Sequence, residues 1–67
     1  MGDLLRRGLR DSEAAQILGL HVQTLRNFRC RGEGPPYVKI GRAVRYFEGD
    51  LIAYLDKRKI EPKQMHA

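Results

Sequence analysis

Gly32-Glu33-Gly34-Pro35-Pro36, at the middle of the chain, cannot continue a helix. Two glycines lower helix propensity, and two prolines remove backbone donors and hold the chain extended. This rigid connector divides the 67 residues into a first half with helical periodicity and a second half that opens on β-prone residues. A chain of this length makes one small domain, so both halves must contribute to one core.

Before the connector, the segment from Leu9 to Gly19, LRDSEAAQILG, predicts a first helix. Asp11 or Ser12 can cap it, Glu13 suits its positive end, and Ala14, Ile17 and Leu18 share a face. Gly19 ends it. In VQTLRNFRCR, Val22, Leu25 and Phe28 recur every three residues, with Gln23, Arg26, Asn27 and Arg29 on the other side, which predicts a second helix. Ala15 lies four residues before Gly19. A small side chain there lets the second helix approach closely, and the glycine gives the backbone freedom a tight turn needs. Leu25 and Phe28, six and nine residues after that glycine, occupy the buried positions of the second helix of a helix-turn-helix. Ala14, Leu18, Leu20 and Thr24 complete the small core.

After the connector, Tyr37–Ile40 and Ala43–Phe47 are short and β-prone, and Gly41-Arg42 between them is a hairpin turn signal. A two-stranded ribbon is marginal alone, so it must lean on the helices, through Val38, Ile40, Val44 and Tyr46 or Phe47. A third helix follows, with Asp50 as its cap, an apolar stripe of Leu51, Ile52, Tyr54 and Leu55, and Lys57, Arg58 and Lys59 at its negative end. The expected fold is mainly α with a two-stranded β-hairpin, a winged helix-turn-helix over residues 9–58. Residues 1–8 form an arm, read most simply as a frayed terminus, although Leu4 and Leu5 can dock on the core and Arg6 and Arg7 can reach an anion. Residues 59–67 form a loose tail.

Several function classes find little support. One cysteine excludes an internal disulfide and every multi-cysteine zinc site, and His21 and His66 lack partner ligands, so neither metal nor cofactor is expected. Cys30 reads as a half-buried packing residue near a helix C-terminus, where the dipole opposes a thiolate. Gly32-x-Gly34 is not a phosphate loop, because no strand precedes it and prolines follow. Tyr37, Tyr46, Phe47 and Tyr54 suit packing more than base stacking. With one serine, one cysteine and no histidine–carboxylate pair on a common face, catalysis is not expected. The longest uncharged run, Ala14 to Leu25, has twelve residues, too short to span a bilayer, and no basic-then-apolar leader opens the sequence. A cytoplasmic protein is expected.

Charge is where the sequence speaks most directly about a partner. His21 to Tyr46 holds Arg26, Arg29, Arg31, Lys39, Arg42 and Arg45 against Glu33 alone, and the rest of the chain sums to zero, so the whole formal charge of +5 lies in one stretch. A localised excess attracts a polyanion, most commonly duplex nucleic acid. With Leu25 and Phe28 buried, Val22, Gln23, Arg26 and Asn27 project from the half of the second helix that enters a major groove. Arg26 can hold guanine O6 and N7, Gln23 and Asn27 can bond adenine, and Val22 can touch a thymine methyl. His21, Thr24, Arg29, Arg31 and Arg45 are the candidate backbone contacts. Lys39, Gly41 and Arg42 form a candidate wing, with Arg42 placed for the minor groove.

EAAQILGLHVQTLRNF followed by GEGPPYVKIGRAVRYFEGDLIAYL resembles the small winged-helix domain shared by MerR-type DNA-binding modules, phage excisionases and AlpA-like prophage regulators. The connector, the Val-Lys-Ile-Gly-Arg hairpin and the Asp-Leu opening of the last helix occur together and in order. The resemblance implies major-groove binding by the second helix, at Val22, Gln23, Arg26 and Asn27, and minor-groove or phosphate contact by Lys39 and Arg42. Relatives carry Ser or Thr caps where this chain has Arg10 and His21, so the first helix is expected to start at Asp11, and His21 to meet a phosphate instead of capping. Positions 22 and 23, often basic in relatives, are Val and Gln here, which shifts affinity onto Arg26, Arg29 and the wing. A MerR regulator would continue into a dimerising helix, whereas this chain stops after its third helix. It is therefore expected to bind double-stranded DNA as cooperative head-to-tail copies and, with a phage integrase as partner, to act as an excisionase in the bacterial host cell. The alternatives are an AlpA-like transcriptional regulator and, from another class, a basic adaptor for an acidic protein.

Overall fold

The computed structural model describes residues 7–62, as three helices and a hairpin: α1 Asp11–Leu18, α2 Val22–Cys30, β1 Val38–Ile40, β2 Ala43–Arg45 and α3 Glu48–Lys57. The expected roles of Leu4, Leu5, Arg6 and the end of the tail from residue 63 lie outside the described residues. Among the described residues no helix is long and apolar enough to cross a membrane.

The connector between α1 and α2 follows from how each helix ends. The capping residue of α1 is Arg10, whose backbone N–H donates to Glu13 Oε1 at 2.8 Å. Asp11 and Ser12 therefore do not cap it, and Asp11 is the first helical residue, as the missing Ser/Thr cap implies. At the far end Gly19 takes φ 72°, while its N–H reaches Gln16 O and the Leu20 N–H reaches Ala15 O. That pair of bonds is a Schellman ending, which needs a left-handed residue and so favours glycine. α2 ends the same way, with Gly32 at φ 72° and bonds from Gly32 N to Arg29 O and Glu33 N to Phe28 O. His21 caps α2, its Nδ1 accepting from the Gln23 N–H at 3.1 Å, so it does cap, contrary to expectation.

The core is Ala14, Ala15, Leu25, Tyr46 and Leu51, with Leu9, Leu18, Val22 and Val44 packed around it. Two alanines side by side on α1 admit α2 on one flank and α3 on the other at short range, which is how so few residues close a core. Leu20, Thr24 and Phe28 are half-buried at its edge.

The hairpin pairs antiparallel, Val38 with Arg45, Lys39 with Val44 and Ile40 with Ala43. It is more than a two-stranded ribbon. Tyr46, just past β2, pairs with Leu9 through Leu9 N→Tyr46 O at 2.7 Å and Tyr46 N→Leu9 O at 2.8 Å. That tether holds the β2 side against the core and leaves β1 outermost. Val38 and Ile40 are consequently exposed, Ile40 at 66 %, and only Val44 and Tyr46 fulfil the expected packing role. α3 starts at Glu48 with Phe47 as capping residue, so Asp50 lies inside the helix and is not the cap. Of its apolar stripe, Leu51 is buried and Tyr54 half-buried, while Ile52 and Leu55 are exposed. Ile52 points a quarter-turn away from Leu51, and Leu55 lies one turn beyond the small core. Ile17 is exposed for a similar reason, because Ala14, Ala15 and Leu18 already face the core. Cys30 is exposed and free, not half-buried.

Candidate nucleic-acid interface

α2 turns Gln23, Arg26 and Asn27 outward. Gln23 Nε2 donates to Asn27 Oδ1 at 3.1 Å across one turn, which aligns the two amides and leaves the Gln23 carbonyl and the Asn27 NH2, the acceptor and donor that an adenine edge requires. Val22 departs from expectation: it is half-buried and packs on the core, because the short α1–α2 turn tucks the first residue of α2 inward.

Arg26 is 47 % exposed, and its Nε donates to Asp11 Oδ2 at 2.9 Å. The same carboxylate oxygen lies 3.8 Å from Arg29 Nη2. Arg29 also donates through Nη1 to the Tyr46 hydroxyl at 3.1 Å and sits 5.7 Å from the centre of the Tyr37 ring. Tyr37 in turn packs on Tyr46 at 5.9 Å. Arg29 is thus half-buried and pinned between α1 and the hairpin, where an internal carboxylate, a phenol and a ring satisfy it. Its internal contacts give it a structural role beside the expected phosphate contact. Arg31 donates to Glu33 Oε1 through Nε at 3.3 Å and Nη2 at 3.2 Å and lies over the Phe28 ring.

The hydrogen bond from Arg26 holds the Asp11 carboxyl below the usual carboxylate range; partial burial opposes this, while the charges of Arg26 and Arg29 and the Ser12 N–H reinforce it. Asp11 in turn holds Arg26 more firmly protonated. A carboxyl with a lowered pKa contributes stability that is complete above its unfolded value and is lost as pH falls through its folded value. The network is therefore constant from neutrality down to mildly acid pH. Asp11→Asn should flatten the acid limb of a melting-temperature profile below about pH 4 and leave its shape near neutrality unchanged; equal acid limbs would contradict the pairing.

On the hairpin, Lys39, Gly41 and Arg42 are exposed at and beside the turn. Arg45 is half-buried: its Nη1 donates to Val44 O at 2.8 Å, and its stem lies against Gly8, where a Cβ would come within 3.0 Å of Arg45 Cβ and Cγ. Between hairpin and helices runs an open cleft of about 490 Å³ lined by Arg10, Asp11, Arg29, Arg42, Ala43, Val44 and Arg45. Arg26 reaches Asp11 on the helical wall of this cleft, and Arg42 stands on the hairpin wall. Arg26 and Arg42 are thus linked to one cleft, Arg42 directly and Arg26 through Asp11. Thr24 is half-buried and His21 exposed, on the N-terminal half of α2.

The sequence profile of a helix-turn-helix domain family matches residues 9–59. The chain belongs to that family. No curated protein and no solved structure matches it significantly. With three helices and an antiparallel hairpin in this order, the helix-turn-helix protein has a winged-helix architecture, and its function is DNA binding. Sequence reasoning missed two members of its cationic cleft, Arg10 and Asp11. The only signal for the Asp11–Arg26 pair was a helix-turn-helix spacing that lays the first turn of α1 against the middle of α2.

Proposed function

We propose that this helix-turn-helix protein is an excisionase-like architectural factor, which binds and bends attachment-site DNA so that a phage integrase can assemble an excisive complex. The observation that carries the reading is the cleft in which Asp11, the partner of Arg26, and Arg29 of α2 face Arg42 and Arg45 of the hairpin, with Arg10 beside them. Two separated contact elements on one small body favour a curved duplex. Bending costs about 1–6 kcal/mol, which phosphate and wing contacts can offset. Neighbouring copies on repeated sites would add the specificity that one module lacks.

Neutralising about five phosphates gives a log–log salt slope near −4.5 in binding titrations. A flat slope would point instead to an adaptor for an acidic protein. Circular-permutation gel shifts on attachment DNA should show bending, footprints should show regularly spaced blocks, and added protein should raise integrase-dependent excision. Promoter effects without bending or excision would make it a transcriptional regulator.

The two arginines separate by experiment. Arg26→Ala should lose about 1–3 kcal/mol of discrimination between sites, whereas Arg42→Ala should weaken binding to every sequence alike. Equal losses on all duplexes for both variants would refute the assigned roles.

A further inference from the structure

We propose that Asp11 is a positioning residue for base recognition: from the first turn of α1 it grips Nε of Arg26 and so fixes which edge of the guanidinium α2 presents, selecting guanine. The inference rests on the reading of α2 as the base-contacting helix. A guanidinium carries five N–H donors, one on Nε and four on the outer nitrogens. Asp11 takes the Nε donor at 2.9 Å, and the outer four have no hydrogen-bond partner among the described residues. What remains is the end-on fork that matches guanine O6 and N7. The side-on edge, which would use Nε, is occupied.

Asp11 can serve as a fixed abutment because it is itself held. Its carboxylate is 21 % exposed and near Arg29, which is anchored on the hydroxyl of the buried Tyr46. A line of contacts thus runs from the core through Arg29 and Asp11 to Arg26. A long arginine fixed before binding loses less rotamer freedom on contact. The same carboxylate stands in a cleft whose other charged residues are all arginines, where it repels phosphates. It therefore lowers affinity for arbitrary DNA while sharpening the choice of base.

The test uses the full chain and a duplex selected by the wild-type protein from a randomised pool, compared with the same duplex carrying one G·C→A·T change and with random DNA. Asp11→Ala should reduce discrimination at that base pair by about tenfold and raise affinity for random DNA by about two- to fivefold at low salt. In an Arg26→Ala background the Asp11→Ala change should leave discrimination unaltered, a coupling that a purely structural role would not produce. Asp11→Asn, which keeps the shape and one acceptor, serves if the alanine variant melts too low, and should show the gain on random DNA with a smaller loss of discrimination. Tighter cognate binding by either variant with discrimination intact would mean that Asp11 restrains Arg26 and would overturn the proposal. If Arg26→Ala alone costs no discrimination, the assignment of α2 falls as well; if it does and Asp11→Ala does not, only the positioning role falls.

Discussion

Tyr46→Ala should leave the protein largely unfolded at room temperature. Its ring is 1 % exposed and is the largest side chain in the core. Truncating a buried aromatic side chain costs about 3–5 kcal/mol, and a domain of this size has only about 3–10 kcal/mol in all. The variant also removes the acceptor of Arg29 and the packing partner of Tyr37. Urea titration followed by circular dichroism reads the loss directly. Tyr46→Phe is the control: it keeps the ring and gives up one hydrogen bond, about 0.5–1.5 kcal/mol. A Tyr46→Ala variant with the wild-type midpoint would mean that the hairpin is not part of the core.

Leu25→Ala should cost about 2–5 kcal/mol, because it opens a cavity on the inward face of α2 against Ala14 and Ala15, which are too small to fill it. Since Leu25 touches no proposed ligand, its DNA phenotype should be one of population only. Apparent affinity should fall by the folded fraction, for every sequence equally. Excess cognate duplex should restore the fold and raise the melting temperature by mass action. If the variant were fully folded yet altered in base preference, Leu25 would be acting on the recognition face itself.

Much of this architecture was legible because it rests on local chemistry. Gly19 and the connector set the element boundaries, and the recurrence of Val22, Leu25 and Phe28 gave α2 its inward face. The expectations that failed concern distances along the chain. The Leu9–Tyr46 pair joins residues with two helices between them, and no local pattern signals it. Without that pair, Val38 and Ile40 look as suited to the core as Val44. The outward face of α2 shows the same split. Periodicity put Gln23, Arg26 and Asn27 on the outside of the helix, and they are exposed. That Arg29 would turn inward depended on Asp11 and Tyr46, which reach it from either side in sequence, both more than a dozen residues away. Ile52 and Leu55 illustrate a further limit: an amphipathic pattern names a face but not how far the core beneath it extends.

The paired backbone bonds between Leu9 and Tyr46 fasten the wing to the entry of the first helix. The spacing from α2 to the hairpin is thus set by the scaffold. On the proposed reading, in which one duplex meets both, a misfit in curvature falls on the nucleic acid. Base steps that no side chain touches, such as a pliable TA or CA lying between the two footprints, would then influence binding through their stiffness alone.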